Sequence, residues 1–207
     1  NIYCRKHPYG AVATPIYQTA TFSHPAVGSS TGFDYSRESN PTRSELEETI
    51  NGLEHAVLSL ACSSGMAALT LCLELFDSGD HILCTEDLYG GSVRLFSSLG
   101  KKRGISFSYA DTSNIEETRA RITPQTKALY IETPSNPTMG VTDIRAMKKL
   151  ADEYSLLLIA DNTFLSPYFQ NPLDLGADLV IHSGTKFLNG HNDVLAGFVC
   201  TNREDLA

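Results

Sequence analysis

The chain has 207 residues, with 24 acidic against 16 basic side chains and a net charge of −8. That length supports one large α/β domain with a real core, and the charge argues against nucleic acid or an anionic membrane as partner. No apolar run reaches the length of a membrane-spanning helix and no signal-peptide pattern opens the sequence. Cys4, Cys62, Cys72, Cys84 and Cys200 are scattered without Cys-x-x-Cys spacing, which points to reduced thiols, a cytoplasmic protein and no zinc site. His191 and Asp193 share a turn, but two residues are too few for a metal.

Residues 1–40 carry little periodicity and read as an extended arm. Within it, Tyr35 and Arg37 are either a surface turn or a phenol and guanidinium that reach an anion together. Asn40-Pro41-Thr42 ends the arm and starts a helix, with Glu45, Glu47 and Glu48 early and Leu46, Ile50 and Leu53 at helical spacing. From residue 41 to 207 strands and helices alternate. The predicted strands are 56–60, 81–84, 105–109, 128–131, 156–160, 179–182 and 195–200, with helices over 64–75, 92–99, 115–122 and 142–154. This alternation predicts a mostly parallel, doubly wound sheet of seven strands. Asn202-Arg203-Glu204-Asp205 reads as a helix start, so a second domain is expected beyond Ala207.

The polar residues gather after strand ends. Leu179-Val180-Ile181-His182 runs into Ser183-Gly184-Thr185-Lys186, and Leu156–Ala160 runs into Asp161. Lys186 is either a solvated loop lysine or, desolvated in a pocket, a Schiff-base lysine. Asp161 is either an N-cap or a carboxylate facing a cationic group in the crevice where open α/β sheets bind ligands. One such lysine and one such aspartate are what pyridoxal phosphate (PLP) needs from a protein. Ser64-Gly65-Met66 opens a helix, which is a plain cap or a phosphate site. Tyr89, before two glycines, is a core tyrosine or a ring that stacks on a flat heterocycle. Asn136, between two prolines, is a turn residue or a hydrogen-bond partner for a ring substituent. No P-loop occurs, and no Gly-x-Gly-x-x-Gly follows a strand, so nucleotide triphosphate and dinucleotide sites are unsupported.

From Tyr17 to Cys200 the sequence resembles the Cys/Met-metabolism family of PLP enzymes, of the aspartate-aminotransferase (type I) fold. The motifs are Tyr35-Ser36-Arg37, Ser64-Gly65-Met66-Ala67-Ala68, Leu88-Tyr89-Gly90-Gly91, Glu132-Thr133-Pro134-Ser135-Asn136-Pro137, Ala160-Asp161-Asn162-Thr163 and His182-Ser183-Gly184-Thr185-Lys186-Phe187, with Gly190-His191-Asn192-Asp193. The resemblance implies that Lys186 is the Schiff-base lysine, Asp161 the partner of the pyridine nitrogen and Tyr89 the stacking ring. It implies a phosphate held by Gly65, Met66, Ser183 and Thr185. Tyr35 and Arg37 are implied to reach the phosphate of a neighbouring subunit, in a homotetramer built as a dimer of dimers. The implied activity is elimination or replacement at Cβ or Cγ of a sulfur amino acid or an activated homoserine. Cystathionine γ-synthase and the cystathionine β- and γ-lyases come first, with methionine γ-lyase or O-acetylhomoserine sulfhydrylase as alternatives. Methionine γ-lyases usually carry Cys where this chain has Gly91. The family's substrate-carboxylate arginine lies in its carboxy-terminal small domain, expected outside these residues. A rival of another class is a non-catalytic PLP-binding or subunit-interaction fragment.

Overall fold

Helix starts fall where local chemistry sets them. The computed structural model describes residues 8–206; Cys4 and the first seven residues of the arm lie outside them. Helix α1 (Pro41–Glu54) begins with Asn40 as N-cap, whose side chain accepts from Thr42 N at 2.9 Å. Pro41 fills the first helical position, where a missing N–H costs nothing. His55 ends the helix in the left-handed conformation, φ 57°.

The chain then alternates as its apolar runs predict. Strand β1 (Leu58–Cys62) leads to α2 (Gly65–Cys72), and β2 (His81–Thr85) to α3 (Gly90–Leu95). Helix α3 continues through a wider π turn, Phe96–Gly100, into α4 (Lys101–Arg103). Next come β3 (Ser106–Ala110), α5 (Ile115–Ala120), β4 (Thr126–Glu132) and α6 (Ile144–Glu153). Strand β5 (Leu157–Asp161), the short α7 (Ser166–Phe169), β6 (Leu179–His182) and β7 (Gly197–Thr201) complete the series. Strand β1 begins two residues later than its apolar run predicts, and α7 is a single turn, too short to show a period.

Among the described residues seven strands form one sheet in the order β1-β7-β6-β5-β4-β2-β3. Pairings from β3 across to β6 are parallel, while β7 runs antiparallel to both β6 and β1. Six strands therefore point one way, and β7 alone points back. The sheet is mostly parallel, as its continuous apolar runs require of strands covered on both faces.

Alternate strand residues pack into two separate apolar layers. One face places Leu83, Leu129, Leu158 and Val180 against Ile50 of α1 and Ile144, Met147 and Leu150 of α6. The other places Ile82, Ile159, Ile181 and Val199 against Ala68 and Leu69 of α2 and Phe96. Each fully buried aliphatic side chain contributes roughly 1.5–3 kcal/mol, so the two layers hold the strand ends on a rigid base.

The arm is less extended than predicted. Thr21 bridges Tyr35, and Phe22 meets Phe33 at 5.7 Å between ring centroids. Its root is tied to α1: Tyr17 N donates to Thr42 Oγ1 at 2.9 Å, and Asn40 Nδ2 donates to Tyr17 O at 3.1 Å.

Candidate active site

Strands that share a direction share a carboxyl edge, and ligands of open α/β sheets bind there. A cavity of about 620 Å³ opens at that edge. Gly65 and Met66 line it from the start of α2, Tyr89 and Ser92 from the start of α3, and Glu132 and Asn136 from the end of β4 and its loop. Asp161 and Thr163 come from the end of β5, and Ser183, Thr185 and Lys186 from the turn after β6. Every site residue singled out in the sequence therefore lines this cavity, except Tyr35 and Arg37. Those two stay in the arm, where the Arg37 guanidinium lies 5.0 Å over the Tyr35 ring.

Asp161 forms part of the floor with both oxygens engaged. Oδ1 accepts from Thr163 N at 3.0 Å, and Oδ2 accepts from the Tyr130 hydroxyl at 3.2 Å. Tyr130 is buried, and desolvation together with the Asp161 charge pushes its phenol well above the usual range, so it stays a donor. Asp161 does not cap the next helix; Leu165 precedes α7 in that place. The capping alternative is thereby removed.

The start of α2 is wedged between two strand ends. The Ser64 side chain caps Ala67 N at 3.1 Å, and the first-turn amides of Gly65 and Met66 have no acceptor within the helix. A Cβ on Gly65 would stand 2.7 Å from Ser183 Cβ, and one on Gly197 would stand 2.0 Å from Ser64 O. Only glycine permits this close approach. The bare amides and the helix dipole thus meet the Ser183 hydroxyl in one corner, a cradle for an anion.

Three expectations need correction or sharpening. Lys186 lines the cavity but is exposed, not stripped of water. The loop that follows it stands free on its outer side, with Phe187 at 65% and Leu195 at 75% exposure, so solvent reaches the amine. The Thr185 hydroxyl donates to Ala196 O at 3.3 Å and accepts from Ala196 N at 3.2 Å. It fastens the turn to the approach of β7. Tyr89 is half-exposed, and a Cβ on Gly91 would lie 2.3 Å from its Cε1. The ring rests in space that only a glycine leaves.

Glu132 was not singled out in the sequence, though it ends the apolar run 128–131 as Asp161 ends its own. It sits beside Asp161 in the parallel register of β4 and β5. Oε2 accepts from Tyr89 N at 2.9 Å and Oε1 from Asn136 N at 3.1 Å, so one carboxyl group joins two cavity loops. Burial first, and then the Asp161 charge, push it up to about 7. Asp87 holds the far side of the same loop through Ser135 and Thr138, and those hydrogen bonds keep it below the usual carboxylate range. Cys62, Cys72, Cys84 and Cys200 are free thiols, and burial pushes Cys72 and Cys200 up to about 12. Protonated thiols are poor nucleophiles, so thiolate chemistry is not what this edge offers.

Among the described residues Lys186 is the only cationic side chain lining the cavity. A helix start for an anion, a fixed carboxylate and a primary amine in the same cavity, and an aromatic lining suit a flat, phosphorylated heterocycle with an electrophilic carbon. This is the donor set PLP requires, and these residues fit it. The chain belongs to the Cys/Met metabolism PLP-dependent enzyme family, whose profile matches residues 3–207. It is 50% identical over 197 residues to the cystathionine gamma-synthase/O-acetylhomoserine (thiol)-lyase of Bacillus subtilis (strain 168), across 95% of this chain and 53% of that protein. It is 48% identical over 198 residues to a cystathionine beta-lyase of Lactococcus lactis subsp. cremoris, across 96% of this chain and 52% of that one. The crystal structure of cystathionine gamma-lyase from Lactobacillus plantarum complexed with L-serine superposes with a TM-score of 0.92 at 46% identity, covering 96% of this chain and 52% of that one. The chain thus spans about half the length of the relatives it matches.

Proposed function

We propose that the protein is a PLP-dependent enzyme of sulfur amino-acid metabolism that breaks or makes carbon–sulfur bonds, as a cystathionine γ-synthase or a cystathionine β- or γ-lyase. One observation carries the reading: Lys186, Asp161, Tyr89 and the free amides of Gly65 and Met66 arise at different strand ends, yet line one cavity. The names of the relatives support the substrate class.

PLP, when bound, supplies an electron sink for carbanion chemistry at the substrate α-carbon. The protein's own groups supply the rest. The Gly65 and Met66 amides and the Ser183 hydroxyl hold the phosphate. The Asp161 carboxylate, kept from turning by Tyr130 and Thr163 N, keeps the pyridine nitrogen protonated. The Tyr89 ring covers one face and helps carry protons to and from the leaving group, and Asn136 bonds a ring substituent. Lys186 would be the covalent anchor of the cofactor, and its Nζ, released when the substrate amine takes its place, would take the α-proton of the substrate as general base.

The arm completes the reading. Tyr35 and Arg37 serve the phosphate of a neighbouring subunit, in a homotetramer assembled as a dimer of dimers; their stacked pairing outside their own cavity supports this. Residues 1–40 are thus the intersubunit arm and residues 41–207 the PLP-binding large domain. No helix among the described residues is long and apolar enough to cross a membrane. The free thiols among the described residues favour a cytoplasmic location.

O-Acetylhomoserine sulfhydrylase is the second reading, favoured by the name of the 50% identical relative. The test is borohydride reduction of the PLP-loaded protein and peptide mapping, followed by assays with cystathionine and with acylated homoserine plus cysteine or sulfide. A label on the Lys186 peptide and turnover of one of these substrates are expected. A label on another lysine, or PLP binding without turnover of any of them, overturns the assignment.

A further inference from the structure

The strand ends that build the cavity carry a second polar set on the opposite face of the sheet. Glu132, Asp161 and Ser183 look into the cavity, and their chain neighbours Thr133, Asn162 and His182 look away from it, as strand alternation requires. On that far face lies α1. Its last residue, Glu54, is fully buried, as is His182, and Asn162 is 1% exposed.

These side chains bond one another. Glu54 Oε1 pairs with His182 Nε2 and accepts from Asn162 Nδ2 at 3.3 Å. Asn162 Nδ2 also donates to Gln170 O at 2.7 Å, and Gln170 Nε2 donates to Asn162 Oδ1 at 2.9 Å and to Thr133 O at 3.0 Å. Glu54 Oε2 and His182 Nδ1 have no hydrogen-bond partner. The orientation of the pair therefore rests on the Nε2 contact and on Asn162. A buried carboxylate and imidazole are costly to desolvate, and apolar side chains would fill the same space at less cost. What the polar set adds is direction: each hydrogen bond sets where one strand end stops relative to the next.

We propose that Glu54, His182, Asn162 and Gln170 form a positioning latch behind the sheet. It sets the relative placement of the ends of β4, β5 and β6, and through them the affinity of the cavity for PLP. The latch touches no reacting atom; it acts through Glu132, Asp161 and Ser183. The inference rests on the PLP reading above.

The test measures the PLP dissociation constant by absorbance titration of cofactor-stripped protein, together with amide hydrogen exchange at residues 161–163 and 181–184. Two variants are compared with wild type: Glu54→Met/His182→Leu, which replaces the buried pair by apolar groups of similar size, and Gln170→Met, which keeps volume at a half-buried site. Both are expected to remain folded at the titration temperature, to exchange faster at those amides, and to bind PLP about tenfold or more weakly, the size of the loss when the hydrogen-bond partners behind metal ligands are removed. Wild-type affinity and exchange in Gln170→Met, or in a folded double variant, overturn the latch and leave the cluster as packing alone. If wild type itself fails to bind PLP, the cofactor reading falls instead, so the two failures are distinguishable.

Discussion

Two carboxyl groups, Glu132 and Asp161, stand side by side on neighbouring strands, and their surroundings separate their roles. Asp161 has a phenol and an amide as donors, which fix both of its oxygens. Glu132 is pushed from 4.5 up to about 7, so the folded state favours its proton. The stability linked to that proton is complete below pH 4.5 and is lost as pH rises through about 7. By linkage the full difference is about 3 kcal/mol. Urea unfolding of the cofactor-free protein should show wild type losing stability relative to Glu132→Gln across that window. A pH-independent gap would mean the proton is elsewhere. Asp161→Asn keeps the shape of the floor and removes its charge. Its kcat should fall by about 10²–10³, the size of other electrostatic losses in preorganised sites, with thermal unfolding unchanged. Turnover close to wild type would refute the role of Asp161.

The element that matters most to the site is α2, because its start is clamped by β6 on one side and β7 on the other. The clamp depends on Gly65 and Gly197, whose positions leave no room for a Cβ against backbone. Gly197→Ala must push the helix start away from its strand. Overpacking of this kind costs about 1–3 kcal/mol, and here it should also weaken PLP binding, because the displaced amides are the proposed anion cradle. Asn114→Ala is the control. It removes the cap of α5, where the Asn114 side chain accepts from Glu117 N at 3.2 Å, and should cost about 1 kcal/mol, leaving PLP affinity as it was. Urea midpoints and PLP titrations on both variants check the pair. Equal affinity in Gly197→Ala would show that the wedge serves packing only.

The scale of the whole molecule includes what one chain does not complete. Lys186, Tyr89 and Leu195 are exposed around a cavity whose acids are buried at Glu132 and half-buried at Asp161. Tyr35 and Arg37 meanwhile form a stacked pair on an arm with no layer of its own. The proposed site shared between subunits would account for both. Arg37→Ala and Lys186→Ala are each expected to be inactive. Mixed and allowed to exchange subunits, they should regain activity, because a hybrid dimer has one site with both defects and one with neither. Zero activity after demonstrated exchange would return the arm to its own subunit.

Local signals carried a large part of this protein. Apolar runs marked all seven strands, Asn40 and Ser64 marked two helix starts, and the acids and hydroxyls at strand ends marked the functional edge. These follow from side-chain period and backbone hydrogen bonding over a few residues, so they are legible without a structure. The residues offered the proposed roles of Lys186, Asp161 and Tyr89 as alternatives, and the resemblance chose among them. What the sequence could not supply were the relations between distant segments. That β7 turns back between β1 and β6 depends on pairing across long separations. Glu132 becomes a bridge only because Tyr89 and Asn136 arrive on either side of it. Thr185 is committed to Ala196, and Lys186 lies open, because of how the approach to β7 and the loop before it pack. The contact of Glu54 with His182 joins residues 128 positions apart. Alternation told which face each residue would take; only the packed sheet decided which residue would meet it there, because such contacts are selected by burial and hydrogen-bond geometry of the whole fold.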